Sequence, residues 1–351
     1  MSKFTRSNKT IIYGLFFLSI VFAQPLRQVR PEVVGMSSDR LEKITHHMET
    51  YVLNNQLSGG VTLVMRHGKV AYFDAFGYRD TESKDKMEKD DIFRIASQTK
   101  SIISLGIMIL QERGQLLISD PVGKYIPEFN STTVAVKTEV GYKIVPANRK
   151  ITIRDLLTHT AGVGWGFGPG RDQWEKAEIM GWYFAHRDEP IQTTIKRIAT
   201  LPMDAQPGEQ FVYGLSTDIL GALIEVVSGL SLDRFLDTEI FKPLRMKDTH
   251  FYIPVDKQDR LTIVYSSTDN GISLSPDPGK RIEAGMIGQG HYDIGPQKSF
   301  SGGAGLLSTA EDYATFLQMM LNGGTLNKQR ILSRKSVELM TVDHLGSIEF
   351  P

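Results

Sequence analysis

The chain of 351 residues is 41% hydrophobic and 23% charged, enough apolar content for a substantial core and for two lobes that share one site. Forty basic residues balance forty acidic ones with no long run of either sign, which argues against nucleic acid or an anionic membrane surface as partner and favours small or neutral ones. The absence of cysteine removes disulfides, cysteine metal sites, a thiol nucleophile and a lipid-modified cysteine from consideration, and leaves an oxidising compartment open.

At the start of the chain Lys3, Arg6 and Lys9 precede an apolar run from Ile11 to Phe22, and Val21-Phe22-Ala23 has the small-residue pattern of a cleavage site. The run is too short for a membrane anchor, which needs roughly 20 residues, so it predicts an export signal over residues 1–23 and a periplasmic or secreted mature chain without a stable membrane span. From Ser37, a serine cap and apolar residues at Leu41, Ile44, Met48, Tyr51 and Val52 predict an amphipathic helix. Two strand-like runs follow, Val61 to Met65 and Val70 to Phe76. The turn His67-Gly68-Lys69 between them puts glycine where a hairpin needs positive φ.

Next comes "IASQTKSII", in which Ser97 and Lys100 are three positions apart at the head of an apolar run from Ile102 to Leu110. That run predicts a helix buried on all sides. On a helix, positions i and i+3 share one face, so the Lys100 amine could reach the Ser97 hydroxyl and act as its base. Free N–H groups at a helix start also suit an oxyanion. A solvated helix start would look the same, so the spacing alone leaves both readings open.

The middle of the chain, to about residue 300, alternates helical patterns with turn-rich loops and predicts a helical lobe beside the sheet. Within it "HTAGVGWGFGPGRD" spaces glycines around Trp165 and Phe167 without the strand and lysine of a phosphate loop. We read it as a rim loop whose aromatics cover an acyl pocket, against an ordinary surface loop. His159 reads as a structural residue holding a helix end through its ring nitrogens, since no G-x-S-x-G elbow accompanies it. Near the end, Ser308 and Glu311 stand at capping-box spacing before a helical period that stops at Gly323-Gly324. The histidines are scattered, with His46 and His47 adjacent rather than at ligand spacing, so neither metal nor cofactor is expected. The whole reads as α+β, a single domain over 37–351: a sheet lobe begins in 37–96, 97–300 is mainly helical, and 301–351 returns towards the sheet.

Five stretches, "IFRIASQTKSI", "LLISDPVGKYIPEF", "ITIRDLLTHTAGV", "PGEQFVYGLSTDILGALIEVVSGLSL" and "GGAGLLSTAEDY", resemble the serine β-lactamase and penicillin-binding-protein superfamily, in its class C β-lactamase and family VIII carboxylesterase branch. They occur in the family's order, and the resemblance covers about Ser37 to about Leu345. It implies a β-lactamase/transpeptidase-like fold with Ser97 as nucleophile. Tyr213 falls on the tyrosine of the family's Y-x-N element, which acts with the lysine as base or proton relay. Leu215 stands at the asparagine position, where a leucine suits an acyl or ester group better than a peptide-like amide. Ser216 either supplies a replacement hydroxyl or packs at a helix start. Trp165 and Gly303 complete the expected substrate-binding positions.

The family's third element, a K-T-G or its H-x-G relative on a late strand, is not evident. His344-Leu345-Gly346 matches in letters only, after the helix-like "SRKSVELMTVD". From this the family's final strands are expected to be missing, with a sheet edge unpaired and the chain alone a poor catalyst. The reading is thus an exported serine hydrolase that forms an acyl-enzyme on Ser97, with the Ser97 N–H helping to hold the oxyanion, most readily an esterase on short acyl esters. A β-lactamase or D-Ala-D-Ala carboxypeptidase stands second. A non-catalytic envelope binding protein is the alternative of another class.

Overall fold

The computed structural model describes residues 26–275 and 291–350; the proposed export signal lies outside the described residues. Helix α1 (Ser38–Leu53) starts where Ser37, in extended conformation, accepts a hydrogen bond from the Arg40 N–H, as the sequence predicts. Strands β1 (Gly59–Arg66) and β2 (Lys69–Asp80) form an antiparallel hairpin whose last pair is Arg66 with Lys69. The turn is His67-Gly68 with both residues at positive φ (52° and 71°), the geometry whose twist matches that of paired strands. Strand β3 (Asp85–Lys86) pairs with β2, so the sheet runs β1-β2-β3 and β1 is an edge strand. Helix α1 covers this sheet through a small cluster of Val34, Leu41 and Ala71, with Ile44 and Val64 packed against it.

Strand β4 (Phe93–Arg94) leads into α2 (Thr99–Glu112), the central helix of the main core. Ile102, Ile103, Leu105, Ile107 and Leu110 are fully buried, and each such side chain contributes about 1.5–3 kcal/mol of hydrophobic stabilisation. Around α2 lie hairpin β5 (Thr133–Thr138) and β6 (Gly141–Pro146), and helices α3 (Ile153–Leu157), α4 (Arg171–Lys176), α5 (Ile191–Ile198) and α6 (Ser216–Ser228). Short helices α7 (Leu232–Leu236) and α8 (Lys242–Leu244) follow, then hairpin β7 (Tyr265–Thr268) and β8 (Gly271–Leu274), and helix α9 (His291–Ile294). Helices α2 and α6 approach closely at Gly106, where a Cβ would stand 2.9 Å from the Ile224 side chain. The hairpins β5–β6 and β7–β8 interrupt the lobe that the sequence predicts as helical; each is a short ladder of six or four residue pairs.

The chain then returns through β9 (Leu307–Ser308), which pairs with β4, to α10 (Ala310–Leu321) and α11 (Arg334–Met340). The cap of α10 is one residue later than the sequence suggests. Thr309 accepts from the Asp312 N–H, while Ser308 belongs to β9 and its hydroxyl meets that of Thr249. No helix among the described residues is long and apolar enough to cross a membrane.

Candidate active site

The β4–β9 ladder sets the position of Ser97. Beyond Arg94, the Ile95 N–H donates to Leu306 O at 3.1 Å, and the Leu306 N–H donates to Thr99 Oγ1 at 3.1 Å. Between these ties Ala96 adopts φ of 44°, a left-handed conformation that costs a residue with a Cβ about 1–2 kcal/mol. The kink delivers Ser97 to a short 3-10 turn just ahead of α2, exposed to solvent. Lys100, in the first turn of α2, is half-buried. Its Nζ donates to Ser97 Oγ at 3.2 Å and to the Gly303 carbonyl at 2.7 Å.

Tyr213 lies just ahead of α6, with its ring centroid 4.8 Å from Lys100 Nζ, so the ammonium sits over the ring face. The ring is packed on two further sides, by Trp165 at 5.4 Å edge-on and by His159 at 4.8 Å. Structure therefore brings together Ser97, Lys100, Tyr213, Trp165 and Gly303. Gly303 takes part through its carbonyl, facing Lys100, so its observed contact is with the lysine.

Two expected substrate contacts are corrected. Leu215 and Ser216 are both fully buried, Leu215 as the cap residue of α6 and Ser216 as its first residue. Neither side chain presents a surface to a ligand, because the start of α6 is packed into the main core; the Ser216 hydroxyl is buried without a partner. What position 215 contributes is the lack of an amide, rather than an apolar contact. The His344-Leu345-Gly346 match is also set aside as a strand motif. It lies in a turn after α11, where His344 Nε2 meets Leu339 O at 2.7 Å and lines a small cavity against Ser104 and Met108 of α2.

Asp218 is not among the site residues the sequence predicts, and His159 has surroundings other than those expected for it. Asp218, on the first turn of α6, is fully buried and accepts from Ser301 Oγ at 2.5 Å and from the Gly303 N–H at 3.0 Å. Burial pushes its carboxyl up, while Ser301, the Lys100 charge and the Gly303 N–H pull it back. Nothing local marked it out beyond its place five residues after Tyr213. His159, expected to hold a helix end through its ring nitrogens, instead has its Nδ1 buried without a partner, and its ring packs against Phe211 and Tyr213. With φ of 56° it ends the turn after α3, and burial, followed by the Lys100 charge, lowers it to about 4, so the imidazole is neutral near pH 7. It adds no second positive charge beside Lys100.

The glycine loop has a different logic from a phosphate cradle. Gly162 and Gly166 have positive φ (77° and 83°), and a Cβ on Gly164 or on Gly168 would stand 1.9 Å from a carboxylate oxygen of Asp204. The loop wraps that carboxylate and presents Trp165 to Tyr213. Phe167, at the other side of the loop, is exposed. A cavity of about 650 Å³ lined by Arg234, Lys242, Phe251 and Tyr252 includes neither Ser97 nor Lys100.

Residues 42–348 match the model of the Beta-lactamase family. Protein Rv1367c of Mycobacterium tuberculosis is 33% identical over 295 residues, covering 82% of this chain and 68% of that protein. Esterase EstB of Burkholderia gladioli is 30% identical over 275 residues, 75% of this chain and 65% of the esterase, so the match spans about two thirds of either relative. Among solved structures, EstCE1, a hydrolase with promiscuous acyltransferase activity, superposes with a TM-score of 0.72 at 26% identity, covering 86% of this chain and 76% of that one.

Proposed function

The chain belongs to the Beta-lactamase family, and on that premise we propose that it is a serine hydrolase that forms an acyl-enzyme on Ser97, acting as an esterase on short acyl esters. The observation that carries this reading is the placement of Lys100 Nζ between Ser97 Oγ and the Gly303 carbonyl. In its neutral form Lys100 accepts the Ser97 proton as Oγ attacks the ester carbonyl, and Tyr213, packed against the same amine, completes the proton path. The tetrahedral oxyanion takes a hydrogen bond from the Ser97 N–H, and collapse expels the alcohol, which receives the proton. Water, activated by the same base, then attacks the acyl-enzyme and releases the acid.

Preference for an ester rests on two supports. Position 215 carries no amide to pair with a peptide-like substrate, and EstB, a relative at 30% identity, is named an esterase. A site that lacks a polar partner for an amide discriminates against substrates that need one. The proposed export rests on residues 1–23 alone and is checked by N-terminal sequencing of protein recovered outside the cytoplasm, which should begin at Gln24.

The test is intact mass after incubation with p-nitrophenyl butyrate and, separately, a fluorescent penicillin, with Ser97→Ala alongside. A butyryl adduct that disappears in Ser97→Ala is the expected result. A folded wild-type chain with no adduct and no Ser97-dependent turnover would refute the hydrolase reading, and labelling by the penicillin alone would overturn the ester preference.

A further inference from the structure

Resting on the acyl-enzyme reading, we propose that Asp218 is the positioning residue of this site: its buried carboxylate holds the Gly303 peptide so that the carbonyl of that residue anchors Lys100 against Ser97. The path is three hydrogen bonds long. Asp218 Oδ1 accepts from the Gly303 N–H at 3.0 Å, the Gly303 carbonyl accepts from Lys100 Nζ at 2.7 Å, and Nζ reaches Ser97 Oγ at 3.2 Å. The N–H and the carbonyl of Gly303 belong to adjacent peptide groups, so the link is positional: fixing the backbone at Gly303 fixes where its carbonyl meets Lys100.

The geometry around the carboxylate is specific. Ser301 Oγ donates to the same Oδ1 at 2.5 Å, so one oxygen holds both ends of the Ser301–Gly303 turn. Neither glycine of that turn can be replaced without movement: a Cβ on Gly303 would lie 2.2 Å from Asp218 Oδ2, and one on Gly302 2.3 Å from Thr217 O. Asp218 is 1% exposed, and an uncompensated carboxylate in such a place is strongly destabilising, so its two donors and a cation within reach are what permit it.

The charged and titratable groups that face the pair are few. The Lys100 charge acts on Asp218, Tyr292 feels Asp218 and is backed by Arg94, and His159, lowered to about 4 by burial and then by the Lys100 charge, is neutral near pH 7. Asp218 is thus the carboxyl group that Lys100 faces from α6. It does not touch the reacting atoms and acts through Gly303.

A purely structural role, tying α6 to the 301–303 turn, predicts different behaviour from a role in which the Asp218 carboxyl, through Gly303, holds the Lys100 amine. Trace labelling of the folded protein with acetic anhydride, followed by peptide mass spectrometry, reads the nucleophilicity of Lys100 against the exposed Lys137 without requiring turnover. In Asp218→Asn the Gly303 turn loses the acceptor that fixes it and Lys100 is no longer held, so we expect the Lys100 to Lys137 ratio at pH 7.5 to rise several-fold. With p-nitrophenyl butyrate, kcat should fall roughly tenfold or more because the amine is no longer held against Ser97, with KM within about threefold.

An unchanged labelling ratio in a natively folded Asp218→Asn overturns the proposal. If that variant does not fold, Gly303→Ala displaces the same peptide from the other side and should raise the ratio several-fold; no rise there also overturns it. A wild-type chain that gives no Ser97 adduct removes the hydrolase reading, whereas the labelling ratio still decides whether Asp218 holds Lys100.

Discussion

Asp218, fully buried on α6, and Asp204, half-buried beside the glycine loop, are both carboxyl groups pushed upward by desolvation, yet their surroundings differ in kind. Asp218 accepts from Ser301 and Gly303 and faces the Lys100 ammonium. Asp204 has burial as its only influence, which takes it up to about 6, and its Oδ1 has no partner. The first carboxyl is answered by two hydrogen-bond donors and by Lys100 two hydrogen bonds away, and it organises the lysine. The second is enclosed by the Cα atoms of Gly164 and Gly168 without a donor, so near pH 7 it is a stability cost carried by the loop that presents Trp165. The same substitution, aspartate to asparagine, is therefore expected to reduce activity at one place and to stabilise the fold at the other.

The largest effect is expected on the compensated side. Lys100→Ala removes the only amine hydrogen-bonded to Ser97 among the described residues, and acylation by p-nitrophenyl butyrate, followed by stopped flow, should slow by about 10³-fold, within the usual range for a general base. A loss under about tenfold would mean that Lys100 is packing rather than proton transfer.

On the other side, Gly164→Ala forces a methyl into the Asp204 carboxylate, whose oxygen would be 1.9 Å away, and should destabilise the fold by about 2–3 kcal/mol, measured by urea unfolding. If the clash is the cause, adding Asp204→Ala to Gly164→Ala should recover part of that loss.

A smaller change of opposite sign is expected for Asp204→Asn. A carboxyl at about 6 in the folded state and 3.8 as a free side chain binds its proton more tightly when folded, so its contribution declines as pH rises from about 4 to about 6 and stays low above that. Allowing for partial solvent access, the deficit above pH 6 is about 1–2 kcal/mol. Asp204→Asn should then be more stable than wild type at pH 7.5 by that amount and no more stable at pH 4, as read by thermal unfolding at the two pH values. Equal stabilisation at both would assign the effect to packing instead.

The smallest effect concerns the rim. Trp165→Leu removes the edge contact on Tyr213 at 5.4 Å, worth about 0.5–1.5 kcal/mol, and should raise KM for butyrate esters by less than about tenfold with kcat nearly unchanged. A kcat loss would show that the loop fixes the tyrosine as well as covering the substrate.

The elements legible in the sequence share one property: their determinants lie within a few residues. Ser37 caps α1, His67-Gly68 turns the β1–β2 hairpin, and Ser97 and Lys100 meet because i and i+3 do so at any helix start. Even the misplaced cap of α10 was wrong by one residue only, since Thr309 and Asp312 repeat the pattern that Ser308 and Glu311 suggested.

What tertiary structure alone decided lies between distant positions. Lys100 and Gly303 are 203 residues apart, and Asp218 and Gly303 are separated by 85. The burial of Leu215 and Ser216 and the packing of His159 on Tyr213 have the same origin. Periodicity and capping are short-range hydrogen-bond effects that a sequence carries in its spacing. Desolvation and charge pairing depend on every neighbour the fold assembles, and these decide which serine has its base held in place and which aspartate holds it.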